Sequence, residues 1–259
     1  MPSLSQASRF LSLRPRRFQA YCVGAPKTGT TSLAASFSEA YRAWHEPRVV
    51  KTNGMVIDHL KGDVSTEEIR RFLLWRDRLM RLELESNHVL AYVVEHLVEL
   101  FPESRYVVTI REPLSWLKSR LNHHYRKPAK DWNGYREYFW ADGYQDYPDE
   151  ERILEEIGLC TLDTYLAQYA DHYERVLGAV PPERRMVVAT QDIDARIGEV
   201  ASFVGADPAK VIVERSNTSA AKTGHIKKIP DAYYREKIKE HCLPLIEAFF
   251  PQTLDRYAG

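Results

Sequence analysis

The chain has 259 residues, and its 36 Lys and Arg are balanced by 36 Asp and Glu, giving a formal net charge of zero. An apolar fraction of 44% and a charged fraction of 28% are those of a folded globular protein and exclude disordered, collagen-like and low-complexity classes. Neutrality also counts against a nucleic-acid module, which carries a basic excess, yet leaves room for a small anion held by a few placed cations. Cys22, Cys160 and Cys242 are far apart and lack metal-ligand spacing, so this odd, sparse set reads as the reduced thiols of a cytoplasmic protein. No apolar run reaches the roughly 18 residues that a membrane helix needs. Residues 1–17 carry Arg9, Arg14, Arg16 and Arg17 without the apolar segment and cleavage site of a secretion signal, and read as an N-terminal arm. With no repeat and no Gly/Ser-rich linker, residues 18–259 are expected to form a single domain.

Phe18 to Val23 is a short apolar run ending at Gly24, the pattern of a buried strand. From Thr30 the period changes, and Leu33, Phe37, Ala40, Tyr41 and Trp44 share one face of a predicted helix. Ser65 and Glu68 form a capping box for a helix carrying Ile69, Phe72, Leu73 and Leu79. A strand is expected near Leu82–Ser86, a helix over Val89–Leu100, and a strand over Arg105–Ile110. A helix then follows Pro113 through Leu114–Tyr125. Residues 126–150 mix aromatics with both charge signs and read as an insertion, either a lid or acceptor wall, or else an oligomer contact or a surface hairpin. Beyond it come a helix at Leu162–Leu177, a strand at Arg185–Thr190, a helix ending at Phe203–Gly205, and a C-terminal helix around Tyr233–Phe250 bent near Pro244.

Strands alternating with helices predict an α/β three-layer sandwich with a central parallel sheet. Such sheets bind ligands beyond the carboxyl ends of their strands, which directs attention to the loops after Val23, Ser86 and Ile110. The first loop, Gly24-Ala25-Pro26-Lys27-Thr28-Gly29-Thr30-Thr31, leads into a helix N-terminus whose amides, with Lys27, suit a phosphate. It departs from GxxxxGK[ST], because Thr30 occupies the lysine position and the lysine sits three residues earlier.

PKTGTT resembles the 5′-phosphosulfate loop of the sulfotransferases that use 3′-phosphoadenosine 5′-phosphosulfate (PAPS). Arg111 at the end of a strand, with Ser119 in the following helix, is similar to that family's 3′-phosphate motif. A guanidinium fork and a hydroxyl are chemically apt for a phosphate. Residues 187–205 are similar to the family's late strand, loop and helix, although Gln191-Asp192 stands where an acidic-Leu pair is common. No RKGxxG segment is present; Lys222, in the 216–228 stretch, is the nearest substitute. The resemblance implies a P-loop-NTPase-like fold, PAPS as donor without a required metal, and in-line sulfuryl transfer to a hydroxyl or amine of a small-molecule, glycan or lipid acceptor. It implies donor contacts from residues 25–31, Arg111, Ser119 and Lys222, with Lys27 stabilising the leaving phosphate.

Two residues compete as the general base. Glu46, in His45-Glu-Pro-Arg48, resembles the Glu-x-Arg of tyrosylprotein-type sulfotransferases, whereas His88 resembles the catalytic histidine of cytosolic ones. Imidazole titrates near neutrality, while a carboxylate would need desolvation to serve well. Glu46 could instead pair with Arg48, and His88 could simply cap the next helix. A P-loop kinase would need Mg-ATP, a lysine in register and an acidic strand end, which the sequence lacks. A non-catalytic nucleotide-binding module is the third reading. His123-His124 lack metal-ligand spacing, and no metal site is expected.

Overall fold

In the computed structural model, which describes residues 15–125, 132–214 and 228–258, the apolar runs pair into one sheet. Its strands are β1 (Ala20–Cys22), β2 (Ala43–His45), β3 (Leu84–Ser86), β4 (Arg105–Ile110) and β5 (Arg185–Ala189). All neighbours are parallel, in the order β2-β3-β1-β4-β5. Cys22 lies opposite Ser86 on one side and Val107 on the other, so β1 is the central strand at which the chain reverses its direction of travel. The crevice at the carboxyl end of β1 is therefore the topological switch point.

The described helices are α1 (Thr30–Ser38), α2 (Val49–Lys61), α3 (Thr66–Met80), α4 (Val94–Leu100) and α5 (Pro113–Tyr125), followed by α6 (Asn133–Phe139) and α7 (Arg152–Glu156). Then come α8 (Leu162–Ala179), α9 (Ile193–Val204) and α10 (Asp231–Phe249). The chain divides into two compact units, residues 15–110 with 175–214 and residues 111–125 with 132–174 and 228–258.

In the first unit, alternation along the strands sends side chains to two faces. Ala20, Cys22, Leu84, Val107 and Val188 form one core with Leu33 and Phe37 of α1 and Ile197, Val200 and Val204 of α9. The intervening residues serve the other face, where Tyr21 stacks on Tyr106 and Glu85 pairs with Arg76 of α3. Helices thus flank both faces, giving the expected three layers. Each large apolar side chain buried in this way contributes roughly 1.5–3 kcal/mol.

The second unit is built on α8, where Tyr165, Tyr169 and Tyr173 recur every four residues and are fully buried. The described part of the aromatic insertion is helical rather than a hairpin, and it buries Tyr135, Trp140 and Tyr147. Trp140 lies under the Arg120 guanidinium, 5.1 Å from its ring centre.

Several elements differ from the sequence expectation. Trp44 lies in β2 and not on the α1 face, because the helix ends at Ser38. Helix α2, with Gly54 in its middle, carried no sequence signal strong enough to be expected. The segment after Asn87 begins as a 3₁₀ turn over His88–Val93 before becoming α4. The Ser65/Glu68 capping box is formed as expected, whereas Leu79 is 49% exposed.

Candidate active site

The Gly24–Thr31 loop leaves β1 at the switch point and enters α1. A Cβ on Gly24 would meet Thr109 Oγ1 at 2.1 Å and the Thr109 carbonyl oxygen at 2.4 Å, so only glycine lets the loop lie on β4. Lys27 (φ 70°) and Gly29 (φ 96°) both take left-handed conformations. Left-handed residues in such a turn bring successive N–H groups to one side, a concavity suited to an anion. Gly29 caps α1 without a side chain to occupy the first-turn amides, which adds the positive end of a helix dipole. Thr28, fully buried, points inward: its hydroxyl donates to the Ala25 carbonyl (2.6 Å) and meets Thr109 Oγ1 (2.7 Å). Thr190, at the end of β5, donates to the Thr28 and Ile110 carbonyls at 2.8 and 3.0 Å. Thr109 and Thr190 hold the loop from beneath, and neither was singled out from sequence. The signal available was their place at the carboxyl end of strands.

The two rival bases form one pair. His88 Nδ1 lies 3.0 Å from Glu46 Oε1. The sheet register makes this contact: His45 is opposite Ser86, and the Glu46 amide donates to the Ser86 carbonyl at 2.8 Å. Since an ionised carboxylate only accepts, this bond keeps the proton on His88 Nδ1. His88 is buried, while the Glu46 side chain is 22% exposed. Arg48 does not pair with Glu46; its guanidinium lies 5.5 Å from the ring centre of Trp75. Asn87, rather than His88, caps the following turn through its Oδ1 and the Val89 amide.

His45 links this pair to the loop. Its Nε2 lies 3.0 Å from Thr31 Oγ1 and 3.6 Å from Glu46 Oε1, and its Nδ1 lies 3.4 Å from Ser86 Oγ. The Ser86 hydroxyl already donates to the Thr30 carbonyl at 2.8 Å, leaving its oxygen to accept from His45 Nδ1–H. Burial pushes the His45 pKa down, with Glu46 opposing and His88 reinforcing that shift. A neutral ring protonated at Nδ1 takes the Thr31 proton at Nε2. His45 thus hydrogen-bonds the loop at Thr31 and stands 3.6 Å from the candidate base Glu46, without a hydrogen bond between the two.

In the second unit, Arg111 directly follows β4. Its backbone is clamped by Tyr169, whose hydroxyl accepts from the Arg111 amide (3.2 Å) and donates to the Arg111 carbonyl. Arg111 Nε donates to Ser115 Oγ at 2.9 Å. Ser119, buried, is one helical turn further along α5. Sequence reading named Ser119 and missed Ser115 and Tyr169; Ser115 shares the four-residue spacing that places both hydroxyls on one helix face. Burial lowers the Arg111 pKa, yet a guanidinium remains a cation at any ordinary pH. Glu112, the acidic residue after this strand, caps α5 by accepting from the Leu114 and Ser115 amides.

Lys222 and most of the 216–228 stretch lie outside the described residues, as do residues 1–14 of the arm. His124 donates to or accepts from the Tyr165 hydroxyl at 2.8 Å, and burial pushes its pKa well down. Among the described residues, Asp163, Glu240 and His241 are close enough to share a metal ion. Lys237 Nζ, 2.8 Å from Asp163 and 3.6 Å from Glu240, already supplies the positive charge there.

A family model for the sulfotransferase domain matches residues 19–221. Among solved structures, the chain is similar to a sulfotransferase from Alicyclobacillus acidocaldarius (17% identity, 91% of this chain and 97% of that one, TM-score 0.47). It is also similar to the sulfotransferase domain from the curacin biosynthetic pathway (13%, 84% and 83%, 0.41). A third likeness is to the sulfotransferase domain of the Synechococcus PCC 7002 olefin synthase (11%, 83% and 94%, 0.41). No curated protein matches. At these TM-scores the structural likenesses stand as likenesses only, and membership rests on the family model, which spans most of the chain. The chain belongs to the sulfotransferase family.

Proposed function

We propose that this sulfotransferase takes its sulfuryl group from PAPS and delivers it to an acceptor hydroxyl or amine, with Glu46 as the general base. The observation that carries this reading is the Glu46–His88 hydrogen bond beside His45, whose Nε2 meets Thr31 and lies 3.6 Å from Glu46 Oε1, so that a partly exposed carboxylate stands close to a loop suited to an anion. The loop fits the donor's phosphosulfate: a Cβ-free approach at Gly24, left-handed Lys27 and Gly29, and an N-terminal turn capped by glycine. When bound, PAPS supplies an activated sulfuryl group whose S–O bond to the 5′-phosphate breaks as the acceptor oxygen or nitrogen bonds to sulfur.

Lys27 and the loop amides then meet the charge that develops on the departing phosphate. Glu46 receives the acceptor proton, and His88 holds the carboxylate in place through Nδ1–H. Arg111, Ser115 and Ser119 are the groups proposed for the 3′-phosphate. The acceptor is of small-molecule, glycan or lipid type. Free, buried Cys22, Cys160 and Cys242 support a reducing, cytoplasmic setting, and no described helix is long and apolar enough to cross a membrane.

The test is transfer of labelled sulfuryl from PAPS to a panel of phenolic, glycan and lipid acceptors. Wild type is expected to label one class. A positioned base is typically worth about 10²–10⁴-fold, so Glu46→Gln should lose that much in kcat and His88→Gln a smaller part of it. If Glu46→Gln keeps its rate while His88→Gln loses it, the roles are reversed. If neither variant changes kcat, the base assignment is wrong.

A further inference from the structure

Glu46 (φ 50°) and Arg48 (φ 53°) both stand in left-handed backbone, flanking Pro47. Such residues cost about 1–3 kcal/mol each and persist only where the surroundings over-determine them. The source of that constraint lies behind the turn. Arg76 and Glu85, each about 3% exposed, form a bidentate ion pair between α3 and β3. The guanidinium makes four hydrogen bonds: Nε donates to Thr52 Oγ1 at 3.2 Å, Nη1 and Nη2 each donate to one Glu85 oxygen, and Nη2 also donates to the Pro47 carbonyl at 3.3 Å. Thr52 Oγ1 in turn reaches the same Pro47 carbonyl at 3.4 Å.

Glu85 carries the constraint the other way. Its Oε1 accepts from Asn87 Nδ2 at 3.2 Å, and Asn87 Oδ1 accepts from the Val89 amide at 3.2 Å, fixing the turn on which His88 sits. One arm of the ion pair ends beside Glu46 and the other beside His88.

Stability alone does not explain this arrangement, because a buried ion pair can often be replaced by apolar residues without loss. We infer that Arg76 and Glu85 are positioning residues: their buried ion pair sets the Glu46 turn and the His88 turn at hydrogen-bonding distance. This rests on the reading of Glu46–His88 as the catalytic pair, but its structural half does not. The guanidinium is required because its fork offers separate nitrogens to Glu85, Thr52 and Pro47, whereas lysine ends in one.

The test compares wild type with Arg76→Met/Glu85→Met and with Arg76→Lys. It measures kcat, KM, adenosine 3′,5′-bisphosphate affinity, and the ¹⁵N shifts of the His88 ring, which report its tautomer. A misplacement near 1 Å can cost about 100-fold, so the double variant should lose ~10- to 100-fold in kcat. Bisphosphate affinity should stay within about twofold of wild type, since the donor loop is held by Thr109 and Thr190 instead. Its His88 shifts should move toward those of Glu46→Gln, and Arg76→Lys should fall between.

A folded double variant with wild-type kcat and unchanged His88 shifts overturns the inference. If the double variant does not fold, Arg76→Lys decides, and wild-type kcat and shifts in that variant overturn it equally. Moved His88 shifts with unchanged kcat would retain the structural link and reject the catalytic pair, so the two failures are told apart.

Discussion

Glu46 sits at the meeting point of three residues whose chemistry depends on one another. His88 hydrogen-bonds its Oε1 from the buried side, and neutral His45, hydrogen-bonded to Thr31 of the loop, lies 3.6 Å from it. A second buried carboxylate, Glu83, shows how the same unit spends charge on stability instead. Glu83 accepts from Arg17 Nε (2.8 Å) and Nη2 (3.0 Å) and from the Arg17 and Arg42 amides (3.1 and 3.0 Å). Burial alone would raise its pKa, but the Arg17 and Arg42 hydrogen bonds outweigh it, and the net shift is downward. A depressed carboxylate stabilises the fold above its unfolded pKa of about 4.3 and loses that contribution as pH falls through its lower folded value. Glu83→Gln should therefore cost on the order of 2 kcal/mol at pH 7, with the difference from wild type shrinking on acidification below about pH 4. Denaturant melts across pH check this. A gap that stays constant down to pH 2 would show that the charge of Glu83 contributes nothing.

At the scale of elements, the strand–loop–helix unit around Gly24 is the most demanding piece of the fold. Gly24→Ala would push a Cβ into Thr109, to within 2.4 Å of its carbonyl oxygen and 2.8 Å of its amide nitrogen, so backbone would have to shift. Overpacking of this kind typically costs about 1–3 kcal/mol, and here it also displaces the amides of the anion cradle. The expected result is a folded protein with a lower melting temperature and bisphosphate affinity reduced at least tenfold; unchanged affinity would show that the cradle does not depend on this approach. The cradle was legible because glycine, lysine and threonine cluster in one junction. The strands Arg105–Ile110 and Arg185–Ala189 were legible because their apolar runs are bounded by charge and turn residues. Trp44 was misread because a helical period can be continued by chance across a helix end into a three-residue edge strand. The Glu46–His88 contact was not legible at all. It joins residues 42 apart and exists only because β2 and β3 pair in parallel with His45 opposite Ser86. The Arg76–Glu85 pair and the Tyr169 clamp on Arg111 likewise depend on which helix meets which strand or loop, a property of tertiary packing and not of local pattern.

For the whole molecule, zero net charge takes on a narrower meaning. It argues against polyanionic partners such as nucleic acid, while Lys27 with the α1 N-terminus in the first unit and Arg111 in the second are the individual cationic groups proposed to serve a phosphorylated donor. Among the described residues, Arg17 and Arg42 are balanced by Glu83, and Arg76 is by Glu85. The central claim is that those few cations recognise a 3′-phosphorylated adenine nucleotide rather than Mg-ATP. Calorimetric titration of adenosine 3′,5′-bisphosphate and of ATP, each in EDTA and in Mg²⁺, tests it most directly on wild type and Arg111→Ala. The account predicts tight bisphosphate binding that is indifferent to Mg²⁺ and lost in Arg111→Ala, with ATP bound weakly in both buffers. Binding of ATP that requires Mg²⁺ and is unaffected by Arg111→Ala would contradict it.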